Sequence, residues 1–351
     1  MKKEIKIGDK TVGKNHPTYI IAEIGSNHNR DLNIAKKLID KAANAGVDAV
    51  KFQTFKAEKL YSKKTPKFSK DNIKPFDLIK STELPRAWHK ELYKYTTDIN
   101  LHFLSSPFDY EAVDELDKIG VPAFKIASFE IVDLELIKYI AKKGKPVILS
   151  TGMANIEEIE EALKAIRSQR NDDIILLHCN SMYPAPVDIV NLNAINTMYK
   201  TFKIPIGFSD HTLGLHIPIA AVTVGACVIE KHFTLDRAMP GPDHPFAIEP
   251  SELKELVRFI RDIEKAKGTG VKDKSDLEAK ENYLKARRSI HAKIDIPKGV
   301  KIRKDMLIVK RPGYGIKPKF IDVIVGKKAK VDVEEDDWIT YDMIEGNFHE
   351  K

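Results

Sequence analysis

The sequence predicts an α/β fold, a (β/α)8 TIM barrel followed by a small second domain of short strands and turns. Short runs rich in β-branched residues alternate with amphipathic stretches in a regular order, which is typical of a parallel sheet with helical crossovers. Eight such runs precede residue 267. The chain has 351 residues, about the length of one barrel with an appended domain. A doubly wound open sheet is the alternative architecture.

The eight predicted strands are 19–25, 49–54, 102–106, 123–128, 146–151, 174–179, 204–210 and 228–233. Helical patterns lie between them, such as those over 32–46 and 156–167, with apolar residues on one face. Most of these patterns end at a glycine or just before a strand-opening proline. The segment 55–84 is longer than an ordinary βα connection and rich in Lys, Pro and Ser, so we interpret it as an active-site flap.

The composition changes after the eighth crossover. We predict a barrel domain over residues 1–267 and a linker over 268–287, where Gly, Lys and Asp replace the apolar periodicity. A compact domain of short strands follows over 288–346. Because this domain is small, we expect it to be stabilised by a neighbour.

Composition narrows the function classes. With 42% hydrophobic and 31% charged residues, the chain is neither disordered nor fibrous. The net charge of +7 comes from lysines scattered beside glutamates, which favours a solvated surface over nucleic-acid binding. The cysteines, Cys179 and Cys227, both lie in apolar runs, so we expect free thiols and a cytoplasmic location. No apolar run approaches ~20 residues and the N-terminus lacks a signal-peptide core, so we expect no membrane association.

Polar residues at strand ends predict the functional site, because catalytic groups of TIM barrels gather at the carboxyl ends of the strands. Every predicted strand carries such residues near its end or just beyond it, among them Glu23, Lys51, Gln53, Ser106, Lys125, Glu130, Ser150, Asn180, Ser181, Ser209, His211, Glu230 and His232. Val, Ile and Leu suffice to fill a barrel interior, and a polar group buried there without a partner is costly. These residues therefore predict a site.

Two histidines predict a metal centre. His211 and His232 end adjacent predicted strands and could both reach one divalent cation. Neutral imidazoles suit Mn, Co, Fe or Zn, with water and substrate oxygens completing the shell. The alternative is two unrelated hydrogen-bonded histidines, and the polar residues around them favour the metal.

Two lysines predict an anionic ligand. Lys51 and Lys125 lie on strands inside one barrel, and the hydroxyls of Ser150 and Ser209 add hydrogen-bond donors for a phosphate or carboxylate. The alternatives are a structural ion pair and the Schiff-base lysine of an aldolase. A dianion needs both charges whereas a Schiff base needs one lysine of lowered pKa, so the pair favours anion binding.

Further candidates are Glu23 and Glu130, as acid/base groups or acceptors for sugar hydroxyls. Either carboxylate could instead be the ion-pair partner of a lysine. Tyr183 follows the sixth strand and could cover the ligand or simply pack in its loop.

Ordered motifs in the chain resemble those of the sialic acid synthase family, which comprises N-acetylneuraminate synthase and related nonulosonic acid synthases. The motifs are IIAEIGSNHNRD, DAVKFQT, KIASFE, PVILSTGM, LLHCNSMYPAP, IGFSDHTLG, VIEKHFTLDR and GPDHPF. VKRPGYGI resembles the family's C-terminal domain, which is similar to type III antifreeze protein and is called a SAF domain. The resemblance spans residues 17 to 346 and implies a TIM barrel with an antifreeze-like domain.

The resemblance implies an activity. Members of this family condense phosphoenolpyruvate with an N-acetylated aldohexose and water, releasing phosphate by C–O cleavage. N-acetylmannosamine would be the sugar and N-acetylneuraminate the product.

By the same resemblance, the site residues take roles. Lys51, Lys125, Ser106, Ser150, Ser181 and Ser209 would hold phosphoenolpyruvate; Glu23, Gln53, Tyr183 and Asp243 would surround the sugar; Glu130 would lie near the reacting centre; and His211 and His232 would bind the metal. Asn180 would be a further substrate-binding residue. The catalytic set would be Glu23, Glu130, Lys51 and Lys125. The metal would be Mn²⁺, with Mg²⁺ or Co²⁺ as alternatives.

The resemblance also implies a domain-swapped homodimer, in which Arg311 of KRPG is delivered into the partner's barrel. One departure leaves the sugar open, since Pro245 and Phe246 follow GPDH where N-acetylneuraminate-forming members often have small residues. The alternative is the same chemistry on a 2,4-diacetamido-trideoxy hexose, giving legionaminic or pseudaminic acid. Arabinose 5-phosphate is disfavoured because the barrel motifs contain no second basic cluster. A non-catalytic sugar- or ice-binding protein, suggested only by the C-terminal domain, is the alternative from another class.

Overall fold

The computed structural model describes residues 2–67 and 73–346. The chain forms two compact units, Met1–Gly268 and Thr269–Lys351. Within the described residues the strands are β1 (Glu4–Ile7), β2 (Lys10–Gly13), β3 (Tyr19–Gly25), β4 (Ala49–Thr54), β5 (His102–Pro107), β6 (Phe124–Ile126), β7 (Val147–Ser150), β8 (Ile174–Cys179), β9 (Ile206–Asp210), β10 (Val228–His232), β11 (Ser289–Ala292) and β12 (Leu307–Lys310).

The helices surround the barrel and continue into the second unit. The α-helices of the described residues are α1 (Leu32–Ala45), α2 (Ala57–Leu60), α3 (Pro75–Thr82), α4 (His89–Asp98), α5 (Tyr110–Ile119), α6 (Leu134–Ala141), α7 (Ile156–Ser168), α8 (Asn193–Phe202), α9 (His216–Val224), α10 (Pro250–Lys267), α11 (Asp276–Glu281), α12 (Tyr283–Ala286) and α13 (Ile321–Ile324). None of the helices in the described ranges is long and apolar enough to cross a bilayer.

Strands β3 to β10 form one parallel sheet in the order β5-β4-β3-β10-β9-β8-β7-β6. The first and last barrel strands, β3 and β10, are hydrogen-bonded neighbours, so the sheet curls into a nearly closed barrel with helices on its outer face. The predicted TIM barrel is confirmed.

Helix α1 shows how the sequence sets these elements. The Asp31 side chain accepts hydrogen bonds from the backbone N–H groups of Asn33 and Ile34, which caps the helix start. Gly46 ends the helix in the left-handed conformation that glycine adopts without strain. Leu38 and Ile39 lie on the buried face, which packs against the barrel.

The barrel interior has an apolar floor and a polar upper layer. Inward-facing residues of the lower level form one apolar cluster, which includes Tyr19, Ile21, Ala49, Leu104, Ala123, Ile148, Ile175, Leu177 and Val228. Because side chains alternate between faces, the residues two positions further along most of these strands face inward one level higher. There the side chains become polar, as in Glu23, Lys51 and Lys125.

The hairpin formed by β1 and β2 was not among the predicted elements. It is antiparallel, and Ile5, Ile7 and Val12 pack into the apolar cluster of the barrel floor. Its apolar residues are few and alternate with charged ones. Their partners lie in distant strands, so the local sequence gives only a weak signal.

The segment predicted as a flap contains α2 and α3, and residues 68–72 of it lie outside the described residues. The segment predicted as a linker contains two short helices, α11 and α12. A capping box begins α11, in which Ser275 and Glu278 satisfy each other's backbone N–H groups. The second unit also has β11 paired antiparallel with β12 and its own apolar core, which includes Ile290 and Ile339.

Candidate active site

Two buried lysines lie at the centre of the polar layer. The Lys51 ammonium is 2.8 Å from Glu23 Oε2 and 3.7 Å from Glu230 Oε2, and it donates to Ser106 Oγ at 3.4 Å. The Lys125 ammonium donates to Ser150 Oγ at 2.6 Å and lies 3.7 Å from Glu230 Oε1. Both lysine side chains are at most 4% exposed. The structure thus brings the two predicted anion-binding lysines together around one carboxylate.

That carboxylate, Glu230, is a site residue to which the sequence reasoning gave no role. Ser209 Oγ donates to its Oε1 at 3.0 Å, while Oε2 has no hydrogen-bond partner. Burial opposes its ionisation, but Lys125 and Lys51 outweigh burial and hold the pKa of Glu230 below its usual range. The sequence signal was present, because Glu230 shares strand parity with the predicted metal ligand His232.

Glu23 completes the cluster from the neighbouring strand. It is in register with Lys51 across β3 and β4, and Gln53 Nε2 donates to its Oε1 at 2.7 Å. Burial raises the pKa of Glu23 to about 7, against the opposing effect of the Lys51 ammonium. The expectation that a glutamate could be an ion-pair partner for a lysine therefore describes Glu23 in this structure.

The two lysines differ in their electrostatic surroundings. Burial disfavours the charged form of both. At Lys51 the carboxylates of Glu23 and Glu230 outweigh burial and the pKa is raised, whereas at Lys125 burial dominates and the pKa is lowered. Lys51 is therefore a firmly held cation, and Lys125 is the lysine that a Schiff-base mechanism would use.

The rings of His211 and His232 lie side by side, with centroids 5.5 Å apart. His211 Nδ1 lies 2.7 Å from the carbonyl oxygen of Asn180; with Nδ1 as the donor, Nε2 is left as a free acceptor. His232 Nδ1 is buried without a hydrogen-bond partner and lies 3.8 Å from Asp243 Oδ2. Burial lowers the pKa of both histidines, so both are neutral at pH 7.

Neutral, closely spaced imidazoles with an unpaired ring nitrogen fit a divalent cation. Within residues 2–67 and 73–346, no group of three or more His, Cys, Asp and Glu side chains could hold a metal. A cation at His211 and His232 would therefore take its other ligands from water or substrate. Tyr183 covers the pair, its ring centroid 4.4 Å from that of His211 and 6.2 Å from that of His232.

Two adjoining cavities occupy the carboxyl end of the barrel. The deep cavity, of about 50 Å³, is lined by Glu23, Lys51, Gln53, Ser106, Lys125, Ala127, Ser128, Ser150, Tyr183, Ser209, His211, Glu230 and His232. The outer cavity, of about 460 Å³, is lined by Ser26, Gln53, Phe55, Leu60, Tyr61, Leu78, Ile79, Thr82, Phe108, Ala127, Phe129, Glu130, Tyr183, His232, Pro242 and Asp243. Gln53, Ala127, Tyr183 and His232 line both, so the two cavities meet at these residues.

The outer cavity contains two predicted carboxylates. Asp243 accepts a hydrogen bond from Ser26 Oγ at 2.9 Å. Glu130 has a buried Oε2 without a partner, and burial raises its pKa to about 7 although Lys125 opposes this. Glu130 can therefore exchange a proton near neutral pH.

The remaining predicted residues are placed differently. The Asn180 side chain donates to the Ile189 carbonyl at 2.9 Å and so stabilises its own loop. At the site, Asn180 contributes its backbone carbonyl, which orients the His211 ring. The Ser181 hydroxyl is buried without a partner beside Gly152, where a Cβ would collide with it. Arg311 lies in the second unit just after β12, and its Nε donates to the Ala286 carbonyl at 2.6 Å.

Comparison with known proteins assigns the family. The model of the NeuB family matches residues 38–272, and that of the SAF domain matches 287–345. The chain is 48% identical to N,N'-diacetyllegionaminic acid synthase of Campylobacter jejuni, over 92% of this chain and 98% of that protein. It is 37% identical to human N-acetylneuraminate-9-phosphate synthase, over 96% and 95% of the two chains.

A solved structure gives the same result. N-acetylneuraminic acid synthetase from Leptospira borgpetersenii, crystallised with citrate, superposes with a TM-score of 0.73 at 38% identity, covering 80% of this chain and 95% of that one. The resemblance found in the sequence motifs is confirmed, and the chain belongs to the NeuB family as a synthase with a C-terminal SAF domain.

Proposed function

We propose that this enzyme condenses phosphoenolpyruvate with the open-chain form of an N-acetylated aldohexose and water, giving a nonulosonic acid and phosphate. The observation that carries the proposal is the pair of buried lysines in a deep cavity that adjoins an outer cavity large enough for a sugar. The names of the relatives support the same product class.

Phosphoenolpyruvate would bind in the deep cavity. Lys51 and Lys125 supply two positive charges, and Ser106, Ser150 and Ser209 supply hydroxyl donors. In the free enzyme Glu23 and Glu230 balance these charges. Fixed cations in a buried site stabilise the phosphate as charge shifts to it, without any reorganisation during the reaction.

The bond changes balance without a redox partner. C3 of phosphoenolpyruvate bonds to C1 of the aldehyde, and the carbonyl oxygen becomes a hydroxyl by taking up a proton. Water adds to C2 and gives up one proton. The bond between C2 and the phosphate oxygen then breaks, the new C2 hydroxyl becomes the ketone, and its proton goes to the departing phosphate. Glu130, with a pKa near 7 and an unpartnered oxygen, is our candidate for accepting the proton from water.

We infer that His211 and His232 hold a divalent cation, Mn²⁺ first and Mg²⁺ or Co²⁺ as alternatives. Such an ion, when bound, makes an aldehyde carbon more electrophilic by withdrawing charge from its oxygen. Gln53 at the junction of the two cavities and Asp243 in the outer cavity would orient the sugar hydroxyls beside the reacting carbon.

For the sugar, we place a 2,4-diacetamido-trideoxy hexose ahead of N-acetylmannosamine. The legionaminic acid synthase shares 48% of its residues with this chain and the human sialic acid phosphate synthase shares 37%. The outer cavity also has many apolar lining residues, which suit the fewer hydroxyls of a trideoxy sugar.

We also propose a cytoplasmic, domain-swapped homodimer in which Arg311 serves the partner's barrel. The family resemblance suggests the exchange. Two buried free cysteines suit a reducing compartment. Exposed apolar side chains on the loops after β6, β7, β8 and β9, such as Phe129, Met153 and Leu213, suit a surface that a second chain covers.

A substrate panel tests the proposed function. Phosphate release from phosphoenolpyruvate is measured with N-acetylmannosamine, with 2,4-diacetamido-trideoxy hexoses and without sugar, before and after chelation. We expect sugar-dependent release that chelation abolishes and Mn²⁺ restores. Release without any sugar, or undiminished release by metal-free enzyme, would contradict the proposal.

A further inference from the structure

We propose that Lys231, paired with Asp210 behind the site, sets the spacing of the His211 and His232 rings, and this inference rests on the proposed function. Lys231 precedes His232 in β10, and Asp210, the last residue of β9, precedes His211. We call Lys231 and Asp210 the buried pair. Neither residue lines the deep or the outer cavity, so the buried pair acts as a positioning device and not on a substrate.

Four hydrogen bonds hold the buried pair in place. The Lys231 ammonium donates to Asp210 Oδ2 at 2.5 Å and to the Thr212 carbonyl oxygen at 2.7 Å. Asp210 Oδ1 accepts from the Thr212 backbone N–H at 2.9 Å and from the Thr212 hydroxyl at 2.8 Å. The three residues are each at most 2% exposed. These hydrogen bonds therefore lie in the protein interior, where water does not compete for their donors and acceptors.

The Lys231 ammonium bonds to the chain on both sides of His211. It holds the carboxylate of the residue before this histidine and the backbone carbonyl of the residue after it. Asp210 and Lys231 are also direct partners in the parallel register of β9 and β10. The backbone of His211 is thereby fixed relative to β10, the strand that carries His232. One buried cation thus connects the backbone at the two imidazoles.

The alternation of side chains places the buried pair behind the site. Glu230 and His232, on either side of Lys231, both line the deep cavity. Successive side chains of a strand point to opposite faces, so Lys231 points to the outer face of the barrel. Asp210 lies opposite it in the register and points the same way. A change in the buried pair therefore removes no side chain from either cavity.

Stability alone is a weak reason for a buried ion pair, because desolvation offsets the attraction of the two charges. The hydrogen bonds of this pair are directional, however, and each fixes an atom next to a proposed metal ligand. His232 Nδ1 has no hydrogen-bond partner, so its ring position depends on packing and on the backbone that Lys231 holds. Groups that orient metal ligands from behind contribute strongly to metal affinity.

The test compares the wild type with the double variant Lys231→Met/Asp210→Asn, which removes both charges. Lys231→Met alone would leave the Asp210 carboxylate buried without a counter-ion and would measure lost stability instead. In metal-free crystals, we expect the separation of the two imidazole centroids to depart from the wild-type value, which is 5.5 Å in this structure. Calorimetry with Mn²⁺ should give a Kd raised by about 10-fold or more, a usual effect of losing a group that orients a metal ligand. An unchanged separation or an unchanged Kd in the folded double variant would overturn the inference.

Ile7→Ala is the matched control for stability, because Ile7 belongs to the apolar cluster of the barrel floor. This variant should lower the melting temperature and leave Mn²⁺ binding as in the wild type. Weaker Mn²⁺ binding by the control as well would assign the effect to lost stability and overturn the inference.

Two further outcomes are decided in advance. If the double variant does not fold, Thr212→Val replaces it, since it removes one hydrogen bond to Asp210 without leaving a charge unpaired. The same changes are expected there, smaller in size, and a wild-type separation and Kd would overturn the inference. If the wild-type enzyme binds no Mn²⁺, the metal assignment of the proposed function fails, and the centroid separation in metal-free crystals still decides this inference.

Discussion

Buried charge of both signs distinguishes the polar upper layer of this barrel from an ordinary protein core. Four side chains are linked by successive ion pairs. Glu23 pairs with Lys51, Lys51 with Glu230, and Glu230 with Lys125. Paired charges in a low-dielectric site gain little net stability, because desolvation offsets their attraction. We interpret the cluster as a binding site in which the carboxylates keep the lysines ionised until an anionic substrate arrives.

Removing either lysine tests this interpretation. Lys51→Ala and Lys125→Ala should each raise the KM for phosphoenolpyruvate by about 100-fold, since a lost buried charge pair costs about 3 kcal/mol or more. The KM for the sugar should change much less. Steady-state kinetics with each substrate varied would show the difference, and Lys164→Ala on the exposed face of α7 is the control.

A trapping experiment on the wild-type enzyme distinguishes anion binding from Schiff-base chemistry. Borohydride added during turnover should leave the mass of the wild-type chain unchanged. A reduced adduct on Lys125, the lysine whose pKa is lowered, would show that the mechanism is an aldol reaction through an imine.

Glu130 predicts a pH dependence. If its carboxylate accepts a proton during the reaction, kcat/KM should rise with pH through an apparent pKa of about 7. Glu130→Gln should lose this limb of the profile and much of kcat. A rising limb that persists unchanged in Glu130→Gln would assign the titration to another group, of which Glu23 is the first candidate.

The same shift has a consequence for stability. The folded-state pKa of Glu130, about 7, lies above its usual value of 4.5, so folding favours the protonated form. The protonated Glu130 therefore contributes to the stability of the folded state fully below about pH 4.5, and this contribution is lost as the pH rises through 7. Glu130→Gln should therefore raise the melting temperature at pH 8, by a few degrees, and change it little at pH 5. Equal changes at both pH values would contradict this account.

Much of the site could be predicted from single residues, because position on a strand decides where a side chain points. Lys51, Lys125 and His232 were found by this criterion and lie together in the structure. Asn180 satisfies the same criterion, yet its side chain turns to the Ile189 carbonyl. Glu230 received no role because its importance comes from two lysines on other strands, and only the closed barrel shows how near they are.

At the level of elements, the barrel strands were predictable because each has a buried apolar run of its own. Five of the eight begin at the predicted residue, such as β3 at Tyr19 and β8 at Ile174. The predicted run 123–128 was too long, since β6 ends at Ile126 and a 3-10 turn begins at Ser128. The hairpin of β1 and β2 was missed, because only the barrel floor explains its apolar face.

That hairpin is open to a direct test. Ile7 in β1 is fully buried in the barrel floor, while Lys6 on the opposite face is exposed. Ile7→Ala should lower the free energy of unfolding by about 2–5 kcal/mol, the usual cost of truncating a core side chain. Lys6→Ala should change it by less than about 0.5 kcal/mol. Urea denaturation followed by circular dichroism measures both, and equal effects would show that the hairpin does not stabilise the floor.

For the whole molecule, the prediction concerns which chain supplies Arg311. A chain ending after Lys267 should fold and bind metal but show little synthase activity, because it lacks the arginine. Mixing Arg311→Ala with His211→Ala chains should restore part of the activity, since some dimers would contain one site with both residues intact. Mixed dimers that stay as inactive as the separate mutants would show that the arginine does not act across the dimer.

The stacking of the two cavities also constrains the sequence of events in a catalytic cycle. The deep cavity rests on the packed apolar floor and meets the outer cavity at Gln53, Tyr183 and His232. A sugar seated at that junction would obstruct the route to Lys51 and Lys125. Phosphoenolpyruvate should therefore bind first, and phosphate should depart after the nine-carbon product. Inhibition by added phosphate would then be competitive against phosphoenolpyruvate. The depth of a residue in this barrel thus also determines when it acts in the catalytic cycle.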